Sequence, residues 1–465
     1  MTTLTERFWN ALSHVVPALE VSREPELLER YGGDWTRVYP RAPGGVCWPR
    51  STAEVSALLR LASEHELPVV PSGGRTGLAA GAVASRGELV LSLERMNRID
   101  EVDVVGQTLR VEAGAITATV HEACRAHGLI WPIDLGSRGS CHIGGNLATN
   151  AGGVRVIRYG ATRHWVLGIV AVRMGGEVLR TGGSLMKNNT GYDLTQLLVG
   201  SEGTLAVITE ATLKLTRAPP PGQVMLFGVR DLQAALYLST MVRSSPFEVM
   251  AIEFFSAACL EEVVARGHGK SPFASHSPVY LLVEVTSRDR HELEAWVEKL
   301  LTAEYVDDGV LANSAAQGRA LWSLRENITT SLAARGLVHK SDVAVPVRGL
   351  AAFARELESV LDERYPDLDL FLFGHVGDGN LHVNLVQPAG VSSAEFLARL
   401  ESVDEDIGRL LAHHGGSVSA EHGIGLLKKK LLSFTRSDGE LALFRHLKKA
   451  FDPQGLLNPG KIVEG

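Results

Sequence analysis

Apolar positions recur along this chain with the period of helices in some stretches and of strands in others. From Ser51 onward they fall at Val55, Leu58, Leu59, Leu61 and Ala62, the stripe of an amphipathic helix with Ser51 as its N-cap. Residues 1–20, MTTLTERFWNALSHVVPALE, read as another short amphipathic helix. Short apolar runs bounded by glycine read as strands: PVV at 68–70, ELVLSL at 88–93, TLRVEAG at 108–114, then 166–174, 177–180 and 204–215, with a helix around 117–127. At 218–222, APPPG places three prolines where neither helix nor strand can continue. Beyond it the units lengthen: VMLFGV, a helix near 231–243, MAIEFF, VYLLVEV, a helix near 291–303 and a turn at DDGV. Helices are expected over 315–335, 349–363 and 395–414, the last stopped by Gly415-Gly416. FLFGHVGDGNLHVNL (371–385) reads as two strands about a Gly-Asp-Gly turn. The pattern predicts an α+β protein divided near residue 218, with helices on one face of the second sheet.

Composition adds limits. At roughly 100–200 residues per domain, 465 residues suggest two to four domains. The 45% hydrophobic and 21% charged content is that of a globular chain. A net charge of -7 disfavours nucleic acid as a partner, because phosphate binding needs a basic face. Cys47, Cys124, Cys141 and Cys259 form no C-x-x-C pair and read as reduced thiols. There is neither a signal-peptide pattern nor an apolar run long enough to span a membrane, so a cytoplasmic protein is expected, with membrane contact at most peripheral.

Three glycine-rich stretches stand out in the first half. PSGGRTGLAAGA (71–82) follows a strand and could bring backbone N–H groups close to an anion, but it has neither the Rossmann nor the Walker spacing. Taken alone it could equally be a tight turn. DLGSRGSCHIGGNLATNAGGVRVIRYG (134–160) is longer than a purely structural loop usually is. Gly200-Ser201-Glu202-Gly203-Thr204 leads into an apolar strand. Three such loops in one domain suggest a dinucleotide laid across it.

A second constellation lies near the C-terminus. GHVGDGNLHVN puts His375 and His382 on either side of a turn, and SAEHGIG supplies Glu421 and His422. Imidazoles and a carboxylate suit Zn²⁺ or Mn²⁺ and leave coordination positions open. A lone histidine is more often structural, but two about a glycine turn with a Glu-His pair in another shift the balance to a metal site, although the spacing matches no short zinc motif. Arg325 and Thr329 stand four apart and would share a helical face, although an ordinary ion pair of Arg325 with Glu326 or another carboxylate also fits.

The three loops resemble those of the vanillyl-alcohol oxidase/para-cresol methylhydroxylase flavoprotein family, over nearly the whole chain. The resemblance implies an FAD-binding PCMH-type domain of two subdomains at 1–218, a ferredoxin-like α+β substrate cap at 219–418, and a C-terminal segment, 419–465, returning to the flavin/substrate interface. It implies FAD held by Pro71, Ser72, Gly73, Gly74, Arg75, Thr76, Gly77 and Leu78 at the pyrophosphate. Ser140, Ile143, Gly144, Gly145, Asn150 and Gly152 would lie beside the ring, Gly203 and Ile208 toward the adenine, and Asn458 nearby. The first loop has no histidine, so FAD is expected to be non-covalent, with His142 the alternative attachment point. LWSLRENITTSL (321–332), Lys340 in HKSD, GHVGDGNLHVN, SAEHGIG and DPQGLLNPGKI (452–462) resemble the branch of that family that oxidises D-2-hydroxyglutarate. That implies a divalent metal, zinc by preference, on His375, His382 and Glu421. His422 would be the general base, Arg325, Thr329 and Lys340 would hold a carboxylate, and Asn384 would contact substrate. The substrate would be a small 2-hydroxy dicarboxylic acid, with D-malate a second one. Electrons would pass to an electron-transfer flavoprotein or a quinone, and a homodimer is expected. D-lactate or glycolate oxidation, a metal-dependent hydrolase and a non-catalytic FAD carrier are the alternatives.

Overall fold

The computed structural model describes residues 6–36 and 38–464. The chain divides into two compact units, Met1–Gly153 with Gly160–Ala218 and Glu421–Gly465, and Val154–Tyr159 with Pro219–Ala420. The division at Ala218/Pro219 falls in the proline run. The later one falls two residues beyond the expected 418/419, because the backbone of Ser417 pairs with Ala344 and the Ala420 N–H donates to the Asp342 carbonyl. Val154–Tyr159 joins the second unit through the ion pair of Arg155 with Glu284 at 3.1 Å.

The first unit holds two four-stranded sheets. In one, β1 (Glu20–Ser22), β2 (Gly45–Trp48), β3 (Val69–Ser72) and β4 (Leu89–Ser92) run in the order β1-β2-β4-β3, with β2, β4 and β3 parallel. β2 and β4 are buried at every position, as suits a parallel sheet covered on both faces. The helix Thr52–Glu64 starts at Ser51, whose side chain accepts the Glu54 N–H, and buries the five residues of the apolar stripe. The other sheet is antiparallel: β5 (Thr108–Glu112), β7 (Val166–Val172), β8 (Val178–Gly182) and β9 (Val207–Lys214), in the order β5-β9-β7-β8. A two-stranded ribbon pairs β6 (Leu129–Ile130) with β10 (Thr216–Arg217). The N-terminal helix Glu6–Val15 buries Phe8 and Leu12, as its amphipathic pattern predicts.

The second unit is built on one seven-stranded antiparallel sheet. Its strands are β11 (Gly222–Val229), β12 (Glu248–Ser256), β13 (Val279–Thr286), β14 (Val306–Leu311), β15 (Val338–Ala344), β16 (Asp369–His375) and β17 (Asn380–Val386), in the order β14-β11-β13-β12-β16-β17-β15. β11 to β14, with helices Leu232–Arg243 and Arg290–Leu301 between the pairs, form a ferredoxin-like unit. β12 then extends the sheet through β16, β17 and β15.

Several local expectations change. DDGV lies within β14 and is not a turn. The helix 315–335 is two, Ala315–Glu326 and Ile328–Ala333, divided at Asn327. A helix at Ala257–Ala265 and strand β15 had no clear sequence signal. Helices cover the sheet on both faces: Leu232–Arg243 contacts β11, β12 and β13, while Ala257–Ala265 and Ala315–Glu326 share an apolar cluster with Phe255, Phe371 and Phe373. All four cysteines are buried free thiols. No helix among the described residues is long and apolar enough to cross a membrane.

Candidate active site

The first unit brings the three glycine-rich stretches together. The loop after β3 packs so closely on the second stretch that a Cβ at Gly74 would stand 2.2 Å from the Ser140 carbonyl oxygen. The Gly200 and Glu202 N–H groups donate to Leu147 and Ala148 at 2.9 and 2.8 Å, which ties the third stretch to the second. Asn458, at φ 45, donates to the carbonyls of Gly81 (3.0 Å) and Glu202 (2.7 Å), so the C-terminal segment locks the first and third loops. Arg75, at φ 56, turns back over the Tyr31 ring at 4.2 Å, and burial lowers its pKa.

This cradle suits FAD. The backbone N–H groups from Gly73 to Leu78 donate no hydrogen bond to any group among the described residues. A run of such N–H groups is an anion-binding concavity, here of a length to take a pyrophosphate. Ser72 Oγ, His142 Nδ1 and Asn458 Oδ1 are buried polar atoms without a protein partner. Ile143 is fully buried and Ile208 nearly so, both in the apolar core of the antiparallel sheet. Burial, and the charge of Arg75, lower the pKa of His142.

In the second unit the register of the sheet gathers the polar residues. His375 lies opposite Asn380, Phe373 opposite His382, Phe371 opposite Asn384, Lys340 opposite Asn384 and Asp342 opposite His382. Directly opposed residues share a face, so these side chains stand on one side of β15–β17. His375 and His382 approach with Nε2···Nε2 at 3.4 Å. Two imidazole nitrogens at about 2.0–2.1 Å from one tetrahedral zinc would stand about 3.3–3.4 Å apart, so the pair fits such an ion. Carboxylates stand behind both rings: Glu253 Oε1 lies 2.6 Å from His375 Nδ1, and Asp342 Oδ1 3.6 Å from His382 Nδ1. Backing of this kind is typical of metal-binding histidines.

Arg325 is buried, and its partner is Glu253 at 3.0 Å, not its neighbour Glu326. The guanidinium sits over Phe373 at 4.5 Å, and its Nε has no hydrogen-bond partner. Thr329, in the next helix beyond the break at Asn327, is exposed, so helical spacing does not give the two residues a common burial. Lys340 is half-buried with no ion-pair partner among the described residues, and desolvation lowers its pKa. Opposite it, the Asn384 amide is buried with its Nδ2 lacking an acceptor. Lysine and asparagine together present donors for which no acceptor stands among the described residues, a setting for a carboxylate.

Glu421 and His422 open the last segment of the first unit, one residue after Ala420. Glu421 Oε1 accepts the Gly153 N–H at 3.0 Å, which fastens it to the end of the second glycine-rich stretch. Glu202 accepts the N–H groups of Ile424 and Gly425, each at 2.7 Å. Burial pushes the Glu202 pKa up against the pull of these donors. Gly425, at φ 51, would drive a Cβ to 1.9 Å from the Ala79 carbonyl oxygen. Asp342 is one residue that the sequence pattern did not single out, and Glu202 and Glu253 are two more. Their only signal there is an acidic residue set in a glycine turn or an apolar strand.

Comparison with known proteins agrees with this geometry. Residues 43–182 match the FAD binding domain and residues 218–462 the FAD linked oxidases, C-terminal domain. D-2-hydroxyglutarate dehydrogenase of Xanthomonas citri pv. viticola is 46% identical over 98% of this chain and 96% of that protein. The enzyme of the same name from Stutzerimonas stutzeri is 38% identical over 97% of each. The mitochondrial one of Bos taurus is 38% identical over 97% of this chain and 82% of its own. Among solved structures, p-cresol methylhydroxylase superposes with a TM-score of 0.74 at 15% identity, over 99% of this chain and 98% of that one, a likeness of fold. The fold and cradle define an FAD-linked oxidoreductase of the PCMH type. Within that class the chain belongs to the D-2-hydroxyglutarate dehydrogenase family.

Proposed function

We propose that the chain oxidises D-2-hydroxyglutarate, and D-malate as a second substrate, to the 2-oxo acid, with FAD bound non-covalently. The observation that carries this reading is the donor-rich face of β15–β17. The paired imidazoles of His375 and His382 lie at one end, and Lys340 and Asn384, whose donors have no acceptor among the described residues, lie two positions along. That arrangement suits an acid with a chelating 2-hydroxycarboxylate and a second carboxylate. The names of the similar proteins support the choice of acid.

In this reading His375, His382 and Glu421 hold a divalent cation, zinc by preference. A cation there would draw charge from the carboxylate and hydroxyl of the substrate and make the hydroxyl more acidic. FAD supplies a two-electron acceptor for the C2 hydride. His422 takes the hydroxyl proton. Arg325 and Lys340 engage the second carboxylate, with the Thr329 hydroxyl at its exposed rim, and Asn384 donates from its amide. The products are the 2-oxo acid, one proton and the reduced flavin, whose electrons pass to an external acceptor such as an electron-transfer flavoprotein or a quinone.

The test is anaerobic bleaching of the bound flavin by a panel of D- and L-2-hydroxy acids, with and without chelator. D-2-hydroxyglutarate should bleach fastest, its L enantiomer should not, and chelator should slow it. Rapid bleaching by D-lactate but not by D-2-hydroxyglutarate overturns the substrate. Protein that takes up no flavin overturns the reaction class.

A further inference from the structure

Glu253 lies in the middle of β12, and only 1% of its side chain is exposed. The β12–β16 pairing, Phe254 with Gly374 and Phe255 with Phe373, continues to set Glu253 opposite His375 on the same face of the sheet. Its two oxygens have different partners. Oε1 lies 2.6 Å from His375 Nδ1, and Oε2 lies 3.0 Å from Arg325 Nη2. A carboxylate so enclosed is costly unless it is paired. Both of its partners have further tasks in the function proposed above.

We propose that Glu253 is a positioning residue that joins the cation-binding and carboxylate-binding ends of the site. It acts on His375 by fixing the tautomer. A neutral imidazole carries one N–H, and donating it from Nδ1 to Glu253 leaves the lone pair on Nε2, the atom that faces His382. It acts on Arg325 by charge and placement. The Nη2···Oε2 approach is close but not aligned as a hydrogen bond, and Nε has no acceptor, so the guanidinium is located without being saturated. Phe373 supports Arg325 at 4.5 Å and meets the His382 ring at 5.0 Å, so the same aromatic ring packs against both ends. Glutamine at 253 would keep one acceptor for His375 but lose the charge that faces Arg325. Aspartate would keep the charge but draw it back along the side chain from both partners.

This inference rests on the reading of His375 as a ligand and Arg325 as a carboxylate binder, and the experiment separates the two. Flavin-loaded full-length wild type, Glu253→Gln, Glu253→Asp and His375→Ala are titrated with Zn²⁺ against a chromophoric chelator. KM and kcat for D-2-hydroxyglutarate and flavin content are measured alongside. Glu253→Gln should bind zinc about 10–100-fold more weakly, with KM raised and flavin content unchanged. Adding Glu253→Gln to His375→Ala should cost no further zinc affinity, because the effect passes through His375. Wild-type zinc affinity and KM in both Glu253 variants, with zinc lost in His375→Ala, overturn the role of Glu253 and leave the metal reading standing. Wild-type zinc affinity in His375→Ala overturns both. Should the Glu253 variants not fold, a 15N-histidine spectrum of metal-stripped wild type decides. A His375 proton on Nδ1 supports the assignment, and one on Nε2 overturns it.

Discussion

Glu202 offers a direct test of how the flavin-side loops hold the Glu421–His422 turn. Its carboxylate accepts the Ile424 and Gly425 N–H groups at 2.7 Å each, and it stands in the third glycine-rich loop at φ 52. In Glu202→Gln one of the two N–H groups would face an amide NH2, so one charge-assisted bond is lost and one donor is left unsatisfied. A hydrogen bond to a charged group contributes about 1.5–3 kcal/mol, and an unsatisfied buried donor costs about 1–3 kcal/mol. Against this, removing the charge recovers part of the desolvation that raises the Glu202 pKa. A net of about 3 kcal/mol on local opening of the turn corresponds to about 10²-fold, at about 1.4 kcal/mol per decade. Hydrogen exchange followed by mass spectrometry over residues 421–427 reads this directly. Exchange there should accelerate by about 10²-fold while peptides of β11–β14 are unchanged. The kcat should fall with flavin content retained, since the turn carries the proposed base. Exchange within threefold of wild type over 421–427 would refute the role of Glu202 in holding the turn.

Burial holds the Lys340 pKa below that of a free lysine, so in the window between them the unfolded chain binds more protons and the fold gains stability as pH rises. In that same window the folded protein loses its cation, so KM for a dicarboxylate should climb toward alkaline pH. Lys340→Met should show a raised KM without the climb, and a wild-type profile in the variant contradicts the assignment. Gly74→Ala forces a Cβ to 2.2 Å from the Ser140 carbonyl and should yield protein with less than about a tenth of the wild-type flavin absorbance; full flavin loading would show that the two loops can part without cost. Lys448 is buried with its Nζ on Asp452 (2.6 Å), Leu457 O (2.6 Å) and Thr204 O (2.9 Å), so Lys448→Met leaves Asp452 with the Leu457 N–H but no counter-charge and strands two carbonyls. Urea unfolding should show a loss of about 3–5 kcal/mol in the first unit, and a loss under about 1 kcal/mol would contradict this.

The part of the site that local pattern disclosed is the part the backbone keeps close. His375 and His382 were legible because a short glycine turn between adjacent strands returns the chain upon itself, and the structure confirms that hairpin. Helix Thr52–Glu64 was legible for the same reason, since its cap and stripe are set by neighbours within a few turns. Glu253, 122 residues from His375, was not, because the pairing of β12 with β16 is a property of the whole sheet. Its trace in the sequence is one carboxylate inside the apolar run MAIEFF, and Glu284 in VYLLVEV, paired with Arg155 and Trp322, leaves a similar one. An acid in a strand that reads as fully buried must have a partner, and this rule could have marked both. The i,i+4 relation of Arg325 to Thr329 assumes an unbroken helix, whereas the backbone closes one helix and opens another at Asn327.

Strand β15 shows why functional segments hide from pattern reading. VHKSDVA lacks the apolar alternation of a half-buried strand because Lys340 and Asp342 stand where the alternation would place apolar side chains. Asp342 is fully buried, accepts the Asn380 amide at 2.7 Å and stands behind His382, so burial there is satisfied by hydrogen bonds and charge. Lys340 has no such compensation, and burial disfavours its charged form. A strand that gives an inward position to an uncompensated donor forgoes core stabilisation, and a second carboxylate from the substrate would restore the balance. The weakness of the strand signal at β15 and the proposed recognition of a dicarboxylate therefore have one cause, the replacement of apolar contacts by polar side chains, one of them an uncompensated lysine, on the inner face of an edge strand.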